Sequence, residues 1–307
     1  MKNNVYVRNN RSIFTISLVR IVLLLPLIIY GFYKNGIYLY QKGYVTTLGM
    51  FRPLVFIIGG GIIGALVNIF YERVIKKNKS EFKEVCFSSF HIEYGLILGC
   101  IMPVSINAII YFSTVFVLLF LSKFTHNRIN LMCLTFIAIY LLSIFLNTFE
   151  YANAYELSRT FSFEFMDYLI GKAPGGIAST HIILLLVALF GLFITNNSKT
   201  SITFYAIISS LVLFGVYAMV ANVNYPNIIF ANNLIFIYTY VATDSVTSSY
   251  TKYGKKVFGA LVGILTFGFY FVNPILAPYI AIIIVSLFNN LIDRKFSKLF
   301  HKDIVNN

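Results

Sequence analysis

The sequence predicts an all-α polytopic membrane protein. It reads as ten transmembrane helices in an inverted five-plus-five repeat, with the N- and C-termini inside. Three observations predict this. The 307-residue chain is 58% hydrophobic and 11% charged, with mean hydropathy +0.79, a balance foreign to soluble domains. Apolar runs of spanning length recur from residue 13 to residue 292, and in lipid a helix satisfies its own backbone. The 24 Lys and Arg alternate by connection: eighteen fall on the termini and even-numbered connections, four (Lys34, Lys42, Arg159, Lys172) on the others, and Arg20 and Arg52 in or beside spans. Cytoplasmic connections carry the excess of Lys and Arg, so this bias orients the chain N-in, C-in.

The net charge of +13 therefore reports topology, and no nucleic-acid partner is expected. Cys86, Cys100 and Cys133 match no metal spacing and read as packing residues. With no Trp, the 22 Tyr and 31 Phe supply the interfacial belt. No polar stretch is long enough to fold as an attached soluble domain, so 1–307 reads as one membrane domain.

In order, a basic arm (Lys2, Arg8, Arg11) precedes span one, 13–32, which lacks a small-residue cleavage site. Arg20 lies near one end of it, where it can snorkel. Span two, 50–70, contains Gly59-Gly60-Gly61 and Gly64; small residues in a row admit a close neighbour, and helix packing is the first reading, ligand contact the second. A basic cluster at 71–85 follows, then span three, 89–102, stopped by Pro103, and span four, 106–122. The Pro103 break reads either as a half-helix exposing backbone groups at mid-membrane or as an ordinary tight turn. Span five, 131–147, closes the first repeat, 13–147. The segment 148–176 carries Glu150, Glu156, Glu164 and Asp167 and is expected outside. Spans six to ten, at 177–195, 201–220, 227–242, 255–271 and 276–292, form the second repeat, 177–292, before a basic tail. The break after span three then corresponds to the one after span eight.

That second break carries the most chemistry: Thr243-Asp244, then Ser245, Thr247, Ser248, Ser249, Tyr250 and Thr251, then Lys252, Lys255 and Lys256. A carboxylate near hydrocarbon needs a partner or water. The hydroxyls can cap the next helix or donate to an anion or a flavin dioxo edge. A capped turn flanked by positive-inside lysines and a ligand site both fit. Asn127 and Asn130 beside Lys123 could bind a phosphate or close a loop, and Asn232 and Asn233 need partners if buried. Asp293 reads as a local pair with Arg294. The four His do not converge as metal ligands, and no residue set supports hydrolysis or a nucleotide loop.

These residues resemble one family. Thr243-Asp244-x-Val-Thr247, Thr251-x-x-Gly254, the spaced Gly259 and Gly263, Gly95 with Pro103, Pro278 and the closing Asn289-Asn-Leu-Ile-Asp293 are similar to the D subunit of the Rnf-type ion-translocating electron transport complex and to the B subunit of the sodium-translocating NADH:quinone reductase. The resemblance runs nearly end to end. It implies a ten-helix subunit in the bacterial cytoplasmic membrane that binds flavin and couples electron transfer to sodium or proton movement. Its partners would be further membrane and cytoplasmic subunits. It also implies cofactor-binding roles for Thr243, Asp244, Thr247, Thr251, Gly254, Asn232, Asn127 and Asn130. The family esterifies FMN to a threonine before span six, but in Asn153-Ala-Tyr-Glu-Leu157 that position is Tyr155 and the following proline is Glu156. Ala231-Asn-Asn-Leu234 replaces a small-residue segment, and Val272, Ile275, Leu276 and Tyr279 depart from the pattern around Pro278. A noncovalent FMN or riboflavin, or none, fits these residues better than covalent FMN. The competing reading is a non-redox protein of the same fold, a scaffold or a transporter of a small or vitamin-like solute.

Overall fold

The computed structural model describes residues 12–125, 129–151, 164–196, 198–221 and 233–305, with the backbone alone from 298 onwards. Among these residues every regular element is a helix.

The first long helix, α1, runs Ile13–Gln41 and the second, α2, Thr47–Ile75. Ser12 and Thr46 cap them by accepting from the amides of Thr15 and Gly49, as short hydroxyl side chains do at helix starts. Both are longer than expected because each passes through a π turn, Tyr33–Ile37 and Phe70–Ile75, instead of stopping. Lys34, expected in an outer loop, is thereby buried inside the helix. It is tolerated there because its ammonium donates to Gly171 O (2.7 Å), Ala173 O (2.6 Å) and Thr180 Oγ1 (3.2 Å).

A stub, α3 (Phe82–Cys86), leads into α4 (His91–Ile101). Then come α5 (Ala108–Ser122), capped by Asn107, and α6 (Leu131–Phe145), capped by Asn130. In the second half a stub, α7 (Phe165–Ile170), ends at Gly171, whose φ of 82° only a residue without Cβ adopts freely. The irregular stretch up to His181 precedes α8 (Ile182–Thr195), and α9 is Thr200–Ala221. The next described element, α10, is brief: Leu234–Phe236 running into the π turn Ile237–Val241. The irregular Thr243–Tyr250 segment leads into α11 (Lys252–Tyr270), and α12 runs Ala277–Val305, so the basic tail is helical.

Among the described residues four helices are long and apolar enough to cross a membrane: α1, α2, α9 and α12; α4, α5, α6 and α8 are apolar but shorter. Glycine seams draw the elements together. A Cβ on Gly60 or Gly64 of α2 would overlap the carbonyl oxygen of Gly95 or His91, so α2 and α4 touch backbone to backbone. The expected packing role of these glycines is what the structure shows. Gly259 and Gly263 of α11 meet Ile202 and Ala206 of α9 in the same manner.

Candidate functional site

The site grows from two helices that stop short. At about 1.5 Å per residue the eleven residues of α4 reach only about 16 Å, roughly half of a bilayer's hydrocarbon core. Beyond Ile101 the chain turns through Met102 and Pro103. Its free carbonyls are taken by the second half: Ile177 N donates to Met102 O (3.0 Å) and Ala178 N to Cys100 O (2.9 Å). The stub α10 is also short, because it starts only at Leu234 after Asn233 (φ 56°), and Tyr240–Thr251 passes beside α1, α4 and α6.

Charges from three elements converge there. Arg20 is 1% exposed and does not snorkel. Its Nε lies 2.8 Å from Glu93 Oε1 of α4, while Nη2 donates to Tyr240 O (2.5 Å) and Nη1 to Thr243 O (3.5 Å). The guanidinium reaches an acid and the carbonyls ending α10 together, so burial beats snorkelling. Breaking such a buried pair costs about 3–5 kcal/mol, because the remaining charge has no water. The next residue, Tyr94, donates from Oη to Asp244 Oδ1 (2.6 Å), joining the two halves. Asp244 Oδ2 accepts from Thr247 N (3.1 Å) and Thr247 Oγ1 (2.7 Å). Asn130 donates to Val241 O (2.9 Å) and Thr247 Oγ1 (3.3 Å), and Asn289 of α12 donates to Thr247 O (3.1 Å).

Of the residues singled out from sequence, Thr243, Asp244, Thr247 and Asn130 meet here. Thr251 and Gly254 stand one turn further on. Thr251 Oγ1 caps α11 by accepting from Gly254 N (3.1 Å). Asp293 does not pair locally with Arg294 as expected; it accepts from Ser249 Oγ (2.5 Å), Tyr250 N (3.3 Å), Thr251 N (3.2 Å) and Thr251 Oγ1 (2.9 Å). The reason is supply: four donors leading into α11 point at one carboxylate. Asn127, Asn232 and Tyr155 lie outside the described residues.

The sequence reading missed Glu93, Tyr94, His91 and Lys199. Glu93 carried a usable signal, since a charge inside an apolar span marks a partnered site. Lys199, before α9, donates to Ser248 O (2.7 Å) and Ser248 Oγ (2.9 Å). Burial pulls its ammonium down to about 7, against the pull of Asp244.

Beside Asp244 lies a cavity of about 80 Å³, lined by Ser89, Phe90, His91, Tyr94, Ile129, Leu131, Asp244, Val246 and Thr247. Cofactor pockets are commonly about 300–1,000 Å³. The donors a flavin would need are spent as well: Thr243 Oγ1 on Thr239 O (2.5 Å), Thr247 Oγ1 on Asp244, Thr251 Oγ1 on Asp293, and both Asn130 amide hydrogens as described. An isoalloxazine ring does not fit this cluster. A few waters do. Among the described residues no group of three or more His, Cys, Asp or Glu is placed to hold a metal ion.

Residues 1–300 match the NQR2, RnfD, RnfE family. No curated protein matches significantly.

Proposed function

The chain belongs to the NQR2, RnfD, RnfE family, and from that premise we propose that it is the ion-handling membrane subunit of an Rnf/Nqr-type electron transport complex, coupling electron transfer to sodium or proton movement. One observation carries this reading: the buried contact of Tyr94 with Asp244, beside the Arg20–Glu93 pair, across two interrupted helices and next to a small cavity. Charged side chains are kept inside a membrane protein where an ion or proton must pass. In this proposal the two five-helix repeats, 13–147 and 177–292, invert about the membrane plane, the termini lie in the cytoplasm of a bacterial cell, and the remaining subunits of the complex dock on this chain.

The noncovalent FMN or riboflavin that the resemblance implies is held, in this reading, outside the Asp244 cluster, because the cluster is closed on itself. Absorbance and fluorescence of the purified full-length protein, before and after acid precipitation, test the flavin. Flavin released to the supernatant supports noncovalent binding. Flavin retained in the pellet overturns the reading of Tyr155. A folded preparation without flavin favours the second reading, a non-redox scaffold or solute transporter, to which the closed cluster also lends weight. Reconstituting the assembled complex with Asp244→Asn tests the coupling: ion movement should collapse while NADH oxidation by the other subunits persists. Unchanged pumping by that variant would sink the ion-handling role.

A further inference from the structure

The cavity beside Asp244 has a chemistry of its own. His91 is 4% exposed and lines it. Ser122 Oγ spends its hydrogen on Leu119 O (2.7 Å), so at its 3.0 Å contact with His91 Nε2 the imidazole must be the donor. Nδ1 is then a bare acceptor, and it has no hydrogen-bond partner. A buried acceptor left open beside a polar cavity calls for an ordered water.

We propose that this cavity is a proton-loading port, conducting water and protons, not an alkali cation, from the Ser89 side to the Asp244 carboxylate. The assignment rests on the ion-handling role proposed above. An alkali cation needs a shell of oxygen ligands, and the side-chain oxygens on this lining are committed to one another: Tyr94 Oη and Thr247 Oγ1 both donate to the Asp244 carboxylate. Phe90, Ile129, Leu131 and Val246 are apolar, and His91 offers nitrogen. Ser89 Oγ is occupied, accepting from Lys123 Nζ (3.0 Å) and donating to Asn68 Oδ1 (2.7 Å). Lys123 thus sets a positive group at Ser89, which repels a metal cation, whereas a proton can be relayed by water. A cavity water takes up one proton from the Ser89 side and passes one to an Asp244 oxygen, so that it remains water, the carboxylate becomes a neutral carboxyl, and the Tyr94 hydroxyl turns from donor to acceptor. Groups facing Asp244 are Arg20 from α1, Glu93, Tyr94 and His91 from α4, Cys133 from α6, Lys199 before α9, and Tyr250 on its own segment.

Infrared difference spectroscopy of the full-length protein in nanodiscs, stepping pH with and without sodium, tests the port. The expected result is a protonated-carboxyl band that vanishes in Asp244→Asn, persists in Glu93→Gln, and keeps its midpoint when sodium is added. His91→Phe should slow proton uptake after a pH jump several-fold. A midpoint that moves with sodium overturns the proton assignment yet leaves ion handling standing. A natively folded protein with no titrating band overturns both. Should Asp244→Asn fail to fold, Tyr94→Phe replaces it: removing the 2.6 Å bond must shift the midpoint, and an unmoved band means that the titrating carboxyl is another residue.

Discussion

Lys123 shows what position does to one charge. It stands at the end of α5, over the Tyr71 ring, and donates to Ser89. Burial pulls its ammonium from 10.5 to about 8, with Glu72 partly opposing. Between those values the unfolded chain holds the proton and the folded chain does not, so stability rises with pH through that window. The melting temperature of the wild type should therefore climb from about pH 8 towards 10, while Lys123→Met lacks that slope; parallel profiles would refute the burial of this amine. Some of the site was readable at this scale. Asp244, Thr247 and Asn130 stood out as polar residues bordering apolar runs, and they do meet. Arg20 and Glu93 did not read as partners, because a lone cation near a span end has the cheaper option of water. Only the carbonyls ending α10 show why that option is not taken.

At the scale of elements, α4 owes its position to glycine. Gly64 admits the carbonyl of His91, whereas Gly268 in α11 has nothing within 4 Å of where a Cβ would stand. Alanine at both positions separates the two roles. Gly268→Ala should raise stability by about 0.5–1 kcal/mol, the ordinary gain of replacing helical glycine. Gly64→Ala should lower it and displace α4, which carries Glu93 and Tyr94. Thermal unfolding of the two full-length variants is the comparison, and equal effects would contradict the seam. The seam was legible because small residues in a row have few other uses in a span. The stub α10 was not, since an apolar run over 227–242 looks like an ordinary span, and nothing in it marks Asn233, whose left-handed φ of 56° sets the start of the helix at Leu234.

At the scale of the whole molecule, α1 is one of the elements that tie the two halves together. Both ends of α1 reach into the second half, Arg20 to Tyr240 and Thr243, Lys34 to Gly171, Ala173 and Thr180. The charge bias proposes an orientation for this assembly, and labelling of intact cells with a membrane-impermeant maleimide tests it. Lys42→Cys should react from outside and Ser297→Cys only after the membrane is opened; the reverse pattern would invert the topology. The proposed orientation rests on Lys and Arg placement, which is a property of connections, whereas the contacts of α1 join residues far apart in the chain. Their separation also bears on synthesis. Arg20 awaits a partner 220 residues downstream and Lys34 one 137 residues downstream. At roughly 5–20 residues per second the ribosome takes about 10–40 s to make the longer of those stretches. Until each stretch is made, the nascent protein holds the corresponding cation in α1 without the carbonyls that will receive it. Its biogenesis therefore calls for a translocon or insertase that shelters α1 until the second half arrives.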